Sequence, residues 1–149
     1  MFKIIVDADA CPVKPEVYRV SRRYGLKVIL VANSNISYPP EDWIDLQVVG
    51  NALDAADDWI VDNLAASDIV ITGDIPLASR AIKKGARVLS PHGTLFTECS
   101  IGNALSTRDL MTHLRDSGLV TGGPAAFAKK DRSRFLQALD SLIQSISRG

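Results

Sequence analysis

Short apolar runs alternate along the chain with longer stretches in which apolar residues recur every three or four positions. Lys3–Val6 is apolar after its first residue and ends in Asp7-Ala8-Asp9, which predicts a first strand. Helical spacing follows over Val13–Tyr24, opened by Pro12 and Pro15 and closed by Gly25. A second strand is predicted over Lys27–Ala32, ending at Asn33-Ser34. Pro39-Pro40 marks a loop, and Leu46–Val49 reads as a short strand. A helix is expected over Asn51–Ala65, a strand over Asp68–Thr72, a helix over Pro76–Lys84 ended by Gly85, and a brief strand over Arg87–Leu89. Strands that alternate with helices predict an α/β architecture with a mainly parallel sheet.

After Pro91 the pattern changes. Helices are predicted near Asn103–Arg115 and Asp131–Ile146, the second with an apolar stripe of Phe135, Leu139, Leu142, Ile143 and Ile146. Between them lies the long segment Asp116–Lys130, centred on Gly122-Gly123-Pro124, and loops of this length are often functional. The 149 residues suit a single domain, with an α/β core over 1–90 and a helical C-terminal extension over 91–149.

Asp7 and Asp74 each stand where an apolar strand runs out. Ligands of open parallel sheets bind outside the carboxyl ends of the strands, so the two acids read as halves of one site. The helix over 51–65 adds more acids. At about 100° per residue, Leu53, Ala56, Ile60, Val61 and Leu64 mark its buried face, with Asp57 inside the stripe, Asp54 at its flank, and Asp58 and Asp62 on the polar side. A carboxylate within a core stripe is costly unless paired or metal-bound. Asp54 and Asp57 are i, i+3 neighbours and can reach one ion. Clustered carboxylates repel unless a cation joins them, and hard oxygen donors suit Mg²⁺ or Mn²⁺, here one or two ions. The metal set read from the sequence is Asp7, Asp9, Asp54, Asp57 and Asp74. Structural readings stand beside it: Asp7 and Asp9 as turn residues, Asp74 as a helix cap, Asp57 as a buried partner of an arginine or a cap. Asn33, Ser34 and Thr72 also sit at strand ends and are candidates for substrate contact, or else for turn and strand roles.

The formal net charge is zero, but residues 1–75 carry −6 and residues 76–149 carry +6. That asymmetry suits an acidic metal pocket rimmed by phosphate-attracting bases, and equally an ordinary solvated surface. Arg80 (beside Lys83, Lys84 and Arg87) and Lys129, Lys130 and Arg132 (beside Arg134) are the candidate phosphate contacts. Trp43, Trp59 and Phe127 are candidates for base stacking, with packing as the other role open to Trp59. Cys11 and Cys99 are too few for a disulfide framework, and isolated His92 and His113 give no zinc spacing. Cys11 reads as a small buried residue. No apolar run approaches the roughly 20 residues of a membrane span, and no signal-peptide pattern opens the chain, so a cytoplasmic protein without membrane contact is expected.

The strings Val6-Asp7-Ala8-Asp9-Ala10-Cys11-Pro12, Asp54-Ala55-Ala56-Asp57 and Thr72-Gly73-Asp74-Ile75-Pro76-Leu77-Ala78, with Gly122-Gly123-Pro124 followed by Asp131-Arg132, resemble the YaiI/YqxD family of bacterial proteins over nearly the whole chain. That family is placed in the PIN-like, or NYN, nuclease superfamily. The resemblance implies a three-layer fold, a parallel sheet flanked by helices, and a Mg²⁺/Mn²⁺ pocket. It makes Asp7 the first-strand acid, Asp54 and Asp57 the helix acids, and Asp74 the acid after the later strand. Many NYN nucleases carry Ser-Gly-Asp-Ser-Asp at that last turn. Here Ile75 and Pro76 follow Asp74, so one acid is missing, and Asp9 is the candidate to compensate.

The expected activity is metal-dependent hydrolysis of a phosphodiester, with RNA as substrate and Asp7, Asp54, Asp57 and Asp74 as catalytic residues. Two other readings remain open at this point. One is a phosphatase of the haloacid dehalogenase type, with Asp7 as nucleophile and Asp9 as acid/base. The acidic pair Asp57-Asp58 precedes Thr72, the reverse of that family's order. The other is a non-catalytic RNA-binding protein on a nuclease-like scaffold.

Overall fold

The computed structural model describes residues 2–52, 54–101 and 129–148. The strands are β1 (Ile4–Asp7), β2 (Val28–Ala32), β3 (Ile44–Val48), β4 (Ile69–Ile71), β5 (Arg87–Leu89) and β6 (Leu95–Phe96). The near-continuous Ile, Val and Leu runs of β1, β2 and β4 are those of parallel strands buried on both sides, whereas β3 and β6 at the sheet edges carry exposed residues. The sheet order is β3-β2-β1-β4-β5-β6, all neighbours parallel except the antiparallel β5–β6 pair. The order reverses between β1 and β4, so their carboxyl ends open the crevice where open α/β sheets bind ligands.

Helices α1 (Lys14–Tyr24) and α4 (Lys129–Arg148) cover one face, α2 (Ala55–Asn63) and α3 (Ile75–Lys83) the other. This is the three-layer α/β arrangement expected. Side chains alternate across a strand. Ile4 and Val6 therefore enter the core beneath α1 and α4, with Val13, Val17, Val20, Phe135, Leu139 and Ile143. Ile5 joins the other core, with Val31, Val70, Ile60, Leu77 and Ala81. The same alternation carries Asp7, two residues beyond Ile5, to the α2–α3 side.

Several boundaries differ from the sequence reading, each for a local reason. β1 runs through Asp7, and β3 starts earlier, at Ile44, because its partner β2 supplies a full five-residue ladder. The helix expected from Asn51 starts only at Ala55, because Asp54 takes a left-handed conformation (φ 64°, ψ 12°) that no helix interior tolerates. The sheet continues past residue 90: Leu95–Phe96 folds back on β5, a pairing with no periodic signal in two residues. α4 begins at Lys129, which places Lys129 and Lys130 in a helix and not in the preceding loop. The helix expected over Asn103–Arg115, the segment 116–128 with its glycine pair, Leu53, His113 and Phe127 lie outside the described residues.

Candidate functional site

Asp7 ends β1 beside Thr72, the residue after β4. Thr72 is buried, and its hydroxyl donates to Asp7 Oδ2 at 3.0 Å while accepting from the Asp74 amide at 3.0 Å. One β-branched residue thus ties the two acidic strand ends together. Asp74 caps α3, its Oδ1 accepting from the Leu77 amide at 3.0 Å, with Pro76 supplying the preset φ of a helix start. Ile75 packs against the α2–α3 core. The capping role foreseen for Asp74 is therefore real, and it leaves Oδ2 directed to no hydrogen bond among the described residues.

Asp7, Asp9, Asp54, Asp57 and Asp74 line one open pocket of about 380 Å³, together with Asn33, Asn51, Ala52, Ala55 and Ala56. Asp57 is half-buried on the inner side of α2, while Asp58 and Asp62 are exposed. Asp54 projects from the left-handed residue at the N-cap of α2. Asp9 is exposed, and both its oxygens lie within 3.3 Å of the Asn33 amide, so it clamps the end of β2 to the turn after β1. Asn51 joins this wall; its place in a turn ahead of α2 gave no signal in the sequence.

The pocket is electrostatically unbalanced. Burial pushes the Asp57 carboxyl up to about 6, reinforced by the negative charges of Asp74, Asp7 and Asp54 and opposed by Arg80. Burial also raises Asp7; the Thr72 hydrogen bond opposes this, and Asp74 and Asp9 add to it. Within the described residues none of the five acids forms an ion pair. Nor do any three acidic, imidazole or thiol groups there close into a ready-made metal cage. The donor set is nonetheless that of a hydrated hard cation: Mg²⁺ keeps several waters and takes one or two carboxylates directly. An open, oxygen-lined pocket with surplus negative charge fits such an ion.

The other candidates fall elsewhere. Arg80 pairs with Asp58 at 3.0 Å on the α2–α3 surface, outside the pocket lining. Ser34 is exposed beyond the pocket lining, which Asn33 does reach. Lys129 and Lys130 are exposed at the start of α4. Arg132 donates to the Pro12 carbonyl (2.7 Å) and the Glu16 carboxylate (3.0 Å), fastening α4 to the start of α1. Trp43 and Trp59 are both half-buried against the two cores. Cys11 is buried and Cys99 exposed.

Comparison with known proteins adds the lineage. The family described as "Uncharacterized BCR, YaiI/YqxD family" matches residues 5–145. The chain belongs to this YaiI/YqxD family. A UPF0178 protein of Rhodopseudomonas palustris is similar at 54% identity over 146 residues, 98% of this chain and 89% of the relative. One from Brucella ovis is 56% identical over 146 residues, 97% and 91% of the two chains. No solved structure matches. For this YaiI/YqxD protein the matched span includes every acid of the pocket. No helix among the described residues is long and apolar enough to cross a membrane.

Proposed function

We propose that this protein is a metal-dependent phosphodiesterase acting on RNA, with Mg²⁺ or Mn²⁺ held by Asp7, Asp57 and Asp74 and assisted by Asp54. The observation that carries the reading is the convergence of four carboxylates from three elements on one pocket at the sheet's switch point. When bound, the cation lowers the pKa of a coordinated water and stabilises charge on the phosphate. The chain's own residues prepare that site. Thr72 fixes the rotamer of Asp7 and the amide of Asp74. The α3 cap fixes Asp74 itself. Burial and like charges raise the Asp57 carboxyl to about 6 while the pocket holds no cation, and a divalent ion bound beside it would lower it again.

The order and placement of the acids favour this over the phosphatase alternative: the acidic pair Asp57-Asp58 precedes Thr72 in the chain, and Asp58 is turned to Arg80 outside the pocket lining. The test is cleavage of labelled single-stranded RNA with Mn²⁺, Mg²⁺ or EDTA, wild type against Asp74→Asn. Asparagine caps helices as well as aspartate, so the variant changes charge and not the helix start. Cleavage lost in EDTA and in the variant supports the reading. RNA binding without cleavage under either metal transfers it to the non-catalytic alternative.

A further inference from the structure

The outer side of α1 faces a second pocket, of about 340 Å³, whose lining includes Tyr18, Arg19, Arg22, Pro39, Glu41 and Trp43. Its composition is aromatic and cationic, whereas the first pocket is acidic. Tyr18 and Trp43 are half-buried and pack on the core, which holds their rings in place. Arg19 and Arg22 are exposed, and their guanidinium groups have no hydrogen-bond or ion-pair partner among the described residues, although Glu41 lines the same pocket. By contrast Arg23, Arg80 and Arg132 all meet carboxylates.

Two chain segments run from one pocket to the other. The first leaves Asp7 and Asp9 at the acidic site and reaches Pro15, Tyr18, Arg19 and Arg22. The second leaves Asn33 at the acidic site and arrives at Pro39, Glu41 and Trp43, exposing the Tyr38 ring on the way. These segments descend the height of the sheet, from the acidic site at its carboxyl edge to Trp43, which precedes β3 at the amino edge and whose carbonyl accepts from the Val28 amide at 2.8 Å. A strand bound at both would follow them across the β2–β3 side of the molecule.

We infer that the Tyr18–Arg19–Arg22–Trp43 pocket is a subsite for single-stranded RNA, binding a base and its phosphate while the same strand reaches the acidic pocket. Aromatic faces that stack bases in any sequence, together with guanidinium groups on the backbone, are the chemistry of single-strand binding. The inference deepens the nuclease reading and rests on it for the strand's direction, but binding can be measured without turnover.

The experiment is fluorescence anisotropy of a labelled oligoribonucleotide of roughly 12 residues with the full chain in EDTA, where no cleavage is expected. Wild type is compared with Arg19→Ala/Arg22→Ala and with Trp43→Leu, which keeps apolar packing and removes the stacking face. Both variants should bind about tenfold more weakly, as expected for one lost stacking contact or two lost phosphate contacts. The double variant should also flatten the slope of log affinity against log salt by about 1.4. Trp43→Leu should leave that slope unchanged. Arg19 and Arg22 lie on the surface, so the double variant should keep the wild-type melting temperature and serves as the test if Trp43→Leu fails to fold. Unchanged affinity in the double variant, no RNA binding by wild type, or equal competition by a free mononucleotide or a proline-rich peptide would overturn the inference. Binding lost in the double variant with no cleavage under Mn²⁺ would sink the nuclease reading and leave this subsite standing. Cleavage with RNA affinity unaffected by these variants would do the reverse.

Discussion

At Asp57 the proposed cation site and the stability of the fold make opposite demands. Its carboxyl is pushed up to about 6 because the fold buries it among Asp74, Asp7 and Asp54. A carboxyl raised above its unfolded value near 3.8 binds its proton more tightly in the native state. Its contribution to stability is thus complete below about pH 3.8 and is lost as pH rises through about 6. Asp57→Asn removes that charge permanently. We expect the variant to melt higher than wild type at about pH 8, with the difference shrinking toward about pH 4. The same substitution should weaken Mn²⁺ binding, the trade of stability for function that strained sites carry. Thermal melts across pH decide the matter; a variant less stable than wild type at high pH would contradict the electrostatic account. Asp74 separates cap from charge in a comparable way. Asp74→Ala should lose roughly 0.5–2 kcal/mol in chemical denaturation, and Asp74→Asn only a few tenths, while both lose cleavage. Equal stability losses would mean that the Leu77 hydrogen bond is not what the aspartate contributes.

At the scale of elements, what could be read in the sequence depended on whether the signal was local. The strands around Ile4–Val6, Val28–Ala32 and Ile69–Ile71 were legible because both faces are buried and every position is apolar. α1 was legible from Pro15 at its start and Gly25 at its end, the latter in the left-handed cap conformation that a glycine just past the last helical residue foretells. α4 was legible from Phe135, Leu139, Leu142 and Ile143, all buried. Among the acids, Asp7 and Asp74 could be placed at one sheet edge from strand ends alone, and Asp57 from its position in an apolar stripe. The start of α2 could not, because Asp54 is left-handed and no glycine marks the position in the sequence. Nor could β6, whose two residues gain strand geometry only from β5. The turn joining β5 to β6 shows a further constraint invisible in sequence. Gly93 has φ +89°, and a Cβ there would meet Arg134 Cγ at 2.8 Å and the Arg134 backbone at 3.0 Å. Helix backbone cannot step aside as a flexible side chain can. Gly93→Ala should therefore cost more than about 1 kcal/mol, since the new residue fits neither the dihedral nor the space. A urea midpoint equal to wild type would show that α4 is not seated on this turn.

The two ends of the sheet treat carboxylates in opposite ways, and that contrast gives the molecule its direction. At the amino end, Asp68 is buried beside β4 and fully answered: Lys3 Nζ lies 2.6 Å from one oxygen, and the amides of Lys3 and Ala65 donate at 3.1 and 2.9 Å. That acid closes the fold. At the carboxyl end, Asp7, Asp54, Asp57 and Asp74 share a pocket with no ion pair among the described residues, so their mutual repulsion is a standing cost to the native state. A ligand that binds the native state and not the unfolded chain stabilises it by mass action. A divalent cation should do so here, and a monovalent salt at equal ionic strength should do so far less. At a free Mn²⁺ concentration one hundred times its dissociation constant, the gain is about 2.7 kcal/mol, or roughly 5–10 °C in melting temperature for a chain of this size. EDTA should return the melt to its starting point. Asp7→Asn and Asp57→Asn should each remove most of the shift, while Asp68→Asn should lower the melting temperature at the other end of the sheet and leave the Mn²⁺ increment in place. An increment that survives in Asp7→Asn and Asp57→Asn alike would place the cation elsewhere and take the metal chemistry of this pocket with it.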